Sequence, residues 1–282
     1  MILVTGAGGK TGRAVISALA ARGMMVRAFV RREVQAAEAL KLGAADAQVG
    51  DIRDAAAVQA ALLGVRKVYH ICPNVHPDEI AIGQLVIDAA RAAGIEHFVF
   101  HSVLHPQAEK LPHHWRKLRV EEALLESSLP FTILQPTAYM QNILTGWEAI
   151  SQRGIYTVPY PVETRLSLVD LKDVAEAAAL VLTEPGHAGS TYELVGTTAL
   201  TQEDVAEVLS QSLGHAVRAE AIPIEQWEAQ ARTSGLSDYA IETLKAMFWY
   251  YVHYGLAGNP NVLRWLLGHS AGTLKEFVQR QL

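Results

Sequence analysis

The chain has 282 residues, of which 24 are lysine or arginine and 29 are aspartate or glutamate, and half of its residues are apolar. A chain this apolar, with only 19% charged residues, buries a sizeable core and is not intrinsically disordered. The formal net charge of −5 and the lack of lysine- or arginine-rich runs argue against direct binding to nucleic acid.

The number of cysteines and the lengths of the apolar runs indicate the cellular compartment in which the protein is expected. Cys72 is the only cysteine, so no internal disulfide can form and a reducing environment is expected. The longest apolar stretches fall short of the roughly 20 residues that a membrane helix requires. The amino-terminal sequence lacks the basic start of a signal peptide. We therefore expect a soluble cytoplasmic protein, monomeric or homodimeric, with no membrane partner.

Short β-branched runs alternate with longer helical stretches through the first half of the chain, which is the pattern of a βαβ series. Predicted strands cover Ile2–Thr5, Met25–Val30, Asp46–Val49, Lys67–Ile71, His97–His101 and Phe131–Leu134. Predicted helices between them include Ala14–Ala21, Ala56–Leu63, Ile80–Ala93 and Trp115–Leu125. Glycines expected in left-handed conformation after helices are Gly23, Gly43, Gly64 and Gly94. The pattern predicts an α/β fold, a Rossmann-type doubly wound parallel sheet covered on both faces.

The pattern becomes less regular from about Pro136. Further helices are predicted at Gln141–Ser151, Lys172–Leu182, Gln202–Ser212, Glu225–Thr233 and Ser237–Tyr251. Brief strands are predicted near Thr191–Val195 and Val217–Ile222. We expect residues 1–135 to form the doubly wound domain. Residues 136–282 are expected to form a smaller α+β portion, packed on the first and partly interleaved with it.

A glycine-rich segment follows the first predicted strand and leads into the first predicted helix. Glycines at positions 6, 9 and 12 allow a sharp turn, close approach of backbone amides to a pyrophosphate, and tight packing of helix on strand. The amino terminus of the helix offers free N–H groups and a positive dipole end to phosphates. The alternative is a strand-to-helix turn without a ligand, but the context favours a dinucleotide site. Its predicted residues are Gly6, Gly8, Gly9, Lys10, Thr11 and Gly12.

The end of the second predicted strand indicates which dinucleotide is preferred. An NAD site usually carries an acidic residue there, which holds the ribose 2′-hydroxyl. This chain has Arg31 and Arg32 instead, and two guanidinium groups attract a 2′-phosphate. Lys10 adds a third positive charge. The alternative is that both arginines are solvated surface residues, but the missing acid favours NADP over NAD.

The segment Gly50-Asp51-Ile52-Arg53-Asp54 follows the third predicted strand. Asp51 is predicted to accept a hydrogen bond from the adenine amino group, with Ile52 packed on the ring. Asp51 is also a candidate N-cap for the next helix. The two roles are compatible.

Several segments together resemble the NmrA-like branch of atypical short-chain dehydrogenases/reductases. They are the glycine loop, the Gly50-Asp51 turn, Lys117-x-x-x-Glu121, Leu129–Pro136, Tyr139–Asn142, and Leu266–Gly268 with Thr273–Val278. The resemblance spans nearly the whole chain and is nearest to NADPH-dependent quinone reductases and triphenylmethane-dye reductases. It implies NADP(H) as the cofactor of residues 1–135 and a substrate-binding role for residues 136–282. Other members of the branch bind the dinucleotide without turnover and act as redox-sensing regulators.

The resemblance to short-chain dehydrogenases also implies a Tyr-x-x-x-Lys pair, and the match on Lys117 puts His113 at the tyrosine position. Lys117 is then expected to position the nicotinamide ribose. His113 is a candidate acid because an unperturbed histidine has a pKa of about 6.5. The equally favoured alternative is an exposed histidine in a loop. A quinone or dye accepts hydride directly, so the missing tyrosine weakens a carbonyl-reductase interpretation more than a quinone-reductase one.

Ligands of doubly wound sheets bind at the carboxyl ends of the strands, near the switch point of strand order. Predicted nicotinamide-binding residues at these ends are Cys72, Pro73, Asn74, Ser102, Pro136 and Thr137. Cys72 is alternatively a small buried apolar residue. Candidate substrate-binding aromatics are Tyr139, Trp147, Phe248 and Trp249, and the last three are more often core residues at helical spacing.

Five of the eleven histidines lie within residues 97–114, which raises the question of a metal site. Two of them flank a predicted strand and no cysteine or carboxylate set completes a site, so no metal is expected. The leading hypothesis is an NADPH-dependent oxidoreductase that passes hydride to a quinone-like or other planar aromatic acceptor. The alternatives are a non-catalytic NADP(H)-binding redox sensor and a carbonyl or enone reductase that uses His113 as acid.

Overall fold

The computed structural model describes all 282 residues, and regular elements follow one another along its whole length. The strands are β1 Ile2–Val4, β2 Val26–Val30, β3 Asp46–Val49, β4 Lys67–His70, β5 His97–His101, β6 Phe131–Pro136, β7 Ala138–Tyr139, β8 Ile155–Val158, β9 Leu168–Val169, β10 Ser190–Leu194 and β11 Arg218–Ala221. The helices are α1 Lys10–Ala21, α2 Glu33–Lys41, α3 Ala55–Leu62, α4 Glu79–Ala92, α5 Pro112–Glu126, α6 Trp147–Arg153, α7 Leu171–Thr183, α8 Gln202–Leu213, α9 Ile224–Thr233, α10 Asp238–Tyr254, α11 Pro260–Leu267 and α12 Leu274–Gln279. A 3₁₀ helix spans Met140–Gly146.

Seven strands form the central sheet in the order β10-β6-β5-β4-β1-β2-β3. The pairs from β3 through to β6 are all parallel. Strands such as β1 and β5 are buried at every residue, as expected where helices cover both faces of a sheet. This strand order is that of the Rossmann fold, with the switch point between β1 and β4. The predicted fold class is therefore confirmed.

Glycines follow the ends of four helices, as the sequence predicts. Gly23, Gly43, Gly64 and Gly94 all have positive φ, between 66° and 99°. These are the left-handed residues expected just after α1, α2, α3 and α4.

Two of the differences between the predicted and the observed elements have a physical reason in the sequence. Helix α2 is absent from the predicted elements because its inward face consists of Ala36 and Ala39, whereas Val34 and Leu40 are exposed. The predicted helix Gln141–Ser151 is instead a 3₁₀ helix followed by α6, which ends at Gly154 with φ of 65°. The apolar spacing there does not distinguish 3.0 from 3.6 residues per turn over so short a stretch.

The chain divides into two compact units. Unit 1 comprises Met1–Gln107, His114–Gln135 and Val174–Tyr192, and unit 2 comprises Ala108–His113, Pro136–Asp173 and Glu193–Leu282. The core of unit 1 includes Leu3, Phe98 and Phe100 of the sheet. The core of unit 2 joins residues of the 3₁₀ helix to α8 and α12. No helix of the chain has both the length and the apolar character needed to span a membrane.

Candidate functional site

The glycine loop lies between β1 and α1, at the switch point of the sheet. Gly6 has φ of +59°, and a Cβ built on it would lie 2.9 Å from the carbonyl oxygen of Ile71, just after β4. Gly9 closes the turn by donating its N–H to the Gly6 carbonyl at 3.0 Å and serves as the N-cap of α1. The conformation and the close approach of β4 both require glycine at position 6.

The two remaining glycines allow α1 and Gln35 to pack closely against the loop. A Cβ on Gly12 would lie 2.5 Å from the Gly6 carbonyl oxygen, so the first turn of α1 packs directly against the loop backbone. A Cβ on Gly8 would lie 2.4 Å from Nε2 of Gln35. The Arg13 N–H donates to the Gly9 carbonyl oxygen at 3.0 Å, and the positive dipole end of α1 lies at the loop, where it favours an anion. These residues fit a pyrophosphate, with Thr11 buried and Lys10 exposed beside them.

Arg31 and Arg32 follow β2 directly, and both are exposed. Their backbone N–H groups donate to Oε1 of Gln35 at 3.3 and 3.2 Å. Gln35 thereby contacts both the arginine pair and the glycine loop. Sequence reasoning missed Gln35, although a glutamine at the third helical position is the pattern of a capping box. An arginine in the N-cap position, where serine or threonine is usual, hid that signal.

Asp51 lies just beyond β3 and pairs with Arg53, whose Nη2 is 2.6 Å from Oδ2. The hydrogen bonds from Arg53 hold the pKa of the Asp51 carboxyl well below its usual range. Asp54 is the N-cap of α3, because its Oδ1 accepts from the Ala56 N–H at 2.9 Å. The alternative of Asp51 as this cap is therefore wrong. Ile52 is half-buried against the core of unit 1.

The segment after β4 contains the predicted nicotinamide-binding residues Cys72, Pro73 and Asn74. Cys72 is 4% exposed and belongs to the core of unit 1, whereas Asn74 is exposed. Burial raises the pKa of the Cys72 thiol, so the thiolate is disfavoured. Cys72 is thus a small buried residue at the strand end, as the alternative interpretation of this cysteine predicts.

Lys117 on α5 is buried in unit 1. Its Nζ lies 2.9 Å from Oε1 of Glu79 and donates to the carbonyl oxygen of His101 at 3.2 Å. The same ammonium lies 5.3 Å from the centroid of the Phe100 ring. Sequence reasoning missed Glu79, which begins α4, because a partner 38 residues away leaves no signal in spacing. These contacts hold the Nζ group of Lys117 at the carboxyl end of β5.

His113 is the second residue of α5, one helical turn before Lys117, and it is half-buried. The alternative of an exposed histidine in a loop is therefore wrong. Its neighbour His114 is buried, and Nδ1 of that ring lies 2.8 Å from the Leu104 carbonyl oxygen. Burial lowers the pKa of His114 to about 4, so the ring is neutral at physiological pH.

Two further histidines lie near Lys117 on the central strands. The Tyr69 hydroxyl and His101 Nδ1 are 2.7 Å apart, and the Thr5 hydroxyl and His70 Nδ1 are 2.9 Å apart. Burial lowers the pKa of both histidines to about 3. Both rings are therefore neutral and structural. Across the whole structure, no three histidine, cysteine or acidic side chains form a metal-binding group.

Ser102, after β5, is held by Glu121 of α5. The Ser102 hydroxyl donates to Oε1 of Glu121, and Nε2 of Gln135 donates to the two carboxylate oxygens at 2.9 and 3.2 Å. Burial raises the pKa of Glu121. The Lys117-x-x-x-Glu121 segment therefore anchors the ends of β5 and β6 to one helix.

The remaining candidates belong to unit 2. Pro136 and Thr137 are buried, and the Thr137 hydroxyl donates to the Ser167 carbonyl at 2.9 Å. Tyr139 is half-buried on β7, and Trp147 packs against the core of unit 2. Thr137 and Trp147 thus have clear structural roles within the unit.

Phe248 and Trp249 are consecutive on α10 and have different surroundings. Phe248 makes an edge-to-face contact with Trp227 at a centroid distance of 4.8 Å. Trp249 is 48% exposed and stacks on His253 at 4.2 Å. The four predicted substrate-binding aromatics therefore do not share one environment within unit 2.

Comparison with known proteins places the chain in a family. The sequence profile of the NmrA-like family matches residues 1–277. The chain belongs to the NmrA-like family. This confirms the resemblance seen in the sequence segments.

Relatives within the NmrA-like family match over nearly their full lengths. The chain is 32% identical to an NAD(P)H azoreductase of Xenophilus azovorans over 282 residues, 99% of this chain and 97% of the relative. A quinone oxidoreductase of Escherichia coli, solved with NADPH, is 28% identical with a TM-score of 0.86, and the match covers 100% of this chain and 99% of that one. A Citrobacter triphenylmethane reductase, solved with NADP(H), is 27% identical with a TM-score of 0.87 and full coverage of both chains.

Proposed function

We propose that this chain transfers hydride from NADPH to a quinone-like or other planar aromatic acceptor. The broader class is established: the chain is an NAD(P)H-dependent reductase with NADP(H) as its cofactor. The observation that carries the proposal is the glycine cradle beside an arginine pair, in a chain whose relatives reduce azo compounds, quinones and dyes by name.

The cofactor residues follow from the geometry of unit 1. The loop amides and the first turn of α1, with Lys10 and Thr11, are proposed to bind the pyrophosphate. Arg31 and Arg32 are proposed to bind the 2′-phosphate, because both are exposed and no acid ends β2. Asp51 and Ile52 are assigned to the adenine.

The nicotinamide end is assigned to the next strand ends. Cys72, Pro73, Asn74 and Ser102 are proposed to frame the ring, and Lys117 to hold the ribose. Pro136 and Thr137, which end β6 and follow it, are proposed to contact the carboxamide. Residues 1–135 then provide most of the cofactor site and residues 136–282 the acceptor site, where Tyr139 is the preferred stacking surface.

When bound, NADPH supplies a hydride. A planar electron-poor acceptor takes that hydride directly, and solvent supplies the accompanying proton, so no tuned acid is required from the protein. The chain then contributes orientation and proximity. The buried histidines near Lys117 are neutral at physiological pH, so neither is a protonated acid that could donate to an acceptor. This agrees with direct hydride transfer.

An NADPH-oxidation assay over quinones, azo dyes, triphenylmethane dyes and small carbonyls tests the proposal. We expect saturation in both substrates for at least one planar aromatic acceptor, and little turnover of carbonyls. Tight NADPH binding without turnover of any acceptor would favour a sensor and contradict the proposal.

Replacement of His113 separates two kinds of reductase. Direct hydride transfer predicts that His113→Ala keeps its quinone-reduction rate within about threefold, whereas loss of a general acid lowers a rate by about 10²–10⁴. The comparison of kcat for quinone and carbonyl substrates in the same variant is decisive. A loss of the larger size with quinones would show that His113 donates a proton.

A further inference from the structure

The ammonium of Lys117 has one carboxylate partner, Glu79. The two groups are 2.9 Å apart, with 6% and 1% of their side chains exposed. Glu79 opens α4, directly after the segment that contains Cys72, Pro73 and Asn74. The pair therefore connects α5 to the segment after β4, both of which are proposed to touch the nicotinamide end of the cofactor.

The other groups facing Lys117 do not balance its charge. They are His70 on β4, Cys72 after it, His101 on β5, and His114 and Glu121 on α5 itself. The histidines are neutral and the thiol is protonated at physiological pH. Glu121 is engaged with Ser102 and Gln135. Glu79 is thus the group that stabilises a positive Lys117 in a buried position.

From this arrangement we infer that Glu79 is a positioning residue for the cofactor: it keeps Lys117 charged and holds it at the end of β5. The inference rests on the proposed role of Lys117 at the nicotinamide ribose. A buried ammonium without a counter-charge is strongly disfavoured relative to the neutral amine. A neutral Lys117 loses the charge-assisted hydrogen bonds that a ribose hydroxyl or phosphate would accept.

The variant Glu79→Gln tests the inference because it removes the charge and keeps the shape. In this variant the buried ammonium of Lys117 has lost its counter-charge, which disfavours the charged form relative to the neutral amine. The Kd for NADPH, relative to wild type at each pH, is expected to worsen from within about threefold at pH 6 to about tenfold or more at pH 9.

The stability of the cofactor-free protein supplies a second readout with the opposite trend. A folded state that resists protonation of Lys117 binds fewer protons than the unfolded chain, so its stability rises with pH. The loss of unfolding free energy in Glu79→Gln, relative to wild type, should therefore become smaller between pH 6 and 9. Over the same range its loss of NADPH affinity should become larger. A purely structural role would move both deficits together and would overturn the inference, as would an affinity ratio that is flat with pH.

Asp88→Asn is the matched control. Asp88 lies on the same helix, its side chain is 48% exposed, and the substitution makes the same change of charge. Affinity and stability of this variant should follow wild type at every pH.

A second comparison covers the case in which Glu79→Gln does not fold. Lys117→Met and the double variant Lys117→Met/Glu79→Gln should bind NADPH equally, within about twofold, because Glu79 acts through Lys117. A further loss in the double variant would overturn the inference. All these readouts use binding and unfolding, so absence of turnover in the wild type would contradict the proposed function and leave this inference standing.

Discussion

Arg31 and Arg32 combine a fixed backbone with exposed side chains. Gln35 holds both backbone amides, so the guanidinium groups begin from a defined position at the end of β2. Groups that are held in place before the ligand arrives lose less conformational entropy on binding, which favours binding of a 2′-phosphate. The pair is therefore the feature to which we assign the preference for NADPH over NADH.

Replacement of both arginines by alanine should weaken NADPH binding by about 10- to 100-fold, the loss expected for charge-assisted hydrogen bonds. The Kd for NADH should change by less than about threefold, since NADH has no 2′-phosphate for these groups to contact. Fluorescence titration with both dinucleotides measures the two constants. Arg91→Ala, at an exposed ion pair on α4, serves as control. Equal losses for both dinucleotides would contradict the 2′-phosphate assignment.

Glu121 offers a prediction about stability and pH. Because burial raises its pKa in the folded state, the folded chain binds more protons than the unfolded chain above the ordinary carboxyl range. This group therefore costs stability as the pH rises through that range. Glu121→Gln keeps one oxygen that can accept from Ser102 and Gln135, replaces the other with an amide nitrogen, and removes the charge.

We expect Glu121→Gln to gain stability relative to wild type as the pH is raised from 4 to 8. Urea unfolding followed by circular dichroism at several pH values gives the difference. A difference that does not change with pH would show that Glu121 titrates alike in the folded and unfolded chains.

At the scale of elements, strands β1, β2, β4, β5 and β6 were predictable because each is a short, mostly buried run rich in apolar residues. β3 and β5 have the predicted bounds, and the glycine loop between β1 and α1 was predictable from its position alone. The two-residue strands β7 and β9 lie below the length at which alternation of apolar residues can be recognised.

The candidate site was predictable only where its residues can be identified from their neighbours in the sequence. Its glycines and arginines follow strands and can be located from the pattern. Glu79 acts through a partner on another helix, and Gln35 caps its own helix behind an arginine at the N-cap that hides the usual capping pattern. The Glu79–Lys117 pair joins residues 38 apart, which no periodicity within one helix encodes. Long-range ion pairs therefore require the fold before they can be seen.

The contact between α1 and the glycine loop leads to a prediction for Gly12→Ala. The added methyl group would lie 2.5 Å from the Gly6 carbonyl oxygen and 2.6 Å from the Ala7 Cα, so loop and helix must separate. Overpacking of this kind costs about 1–3 kcal/mol of stability. Displacement of the loop should also raise the Kd for NADPH by about tenfold or more, as expected when a preorganised site is disturbed.

Gly146→Ala is the control for this substitution. A Cβ at Gly146 would meet only Ile150 at 4.0 Å, and the backbone there has negative φ. The control should keep wild-type stability and affinity. Thermal unfolding and NADPH titration of both variants complete the test, and a Gly12→Ala protein indistinguishable from the control would show that the loop can move freely.

At the scale of the whole molecule, the sheet-bearing unit is not continuous in sequence. Val174–Tyr192 belongs to unit 1 together with residues of the first half of the chain. Lys67 Nζ donates to the Leu182 carbonyl at 2.5 Å, and the Thr132 hydroxyl donates to the His187 carbonyl at 2.6 Å. β10 lies beside β6 at the edge of the sheet. The first half of the sequence is therefore an incomplete folding unit.

We expect a fragment of residues 1–135 to lack a cooperative urea transition, because it has lost the apolar residues of α7 and the strand that covers the edge of β6. A fragment of residues 1–192 restores α7 and the first three residues of β10, and it should unfold cooperatively and bind NADPH. Circular dichroism during urea titration and NADPH fluorescence compare the two fragments under the same conditions. Cooperative unfolding of fragment 1–135, with NADPH affinity equal to that of fragment 1–192, would show that α7 and β10 are dispensable for the nucleotide-binding unit. The expected contrast would show instead that the dinucleotide site depends on a segment that follows it in the sequence.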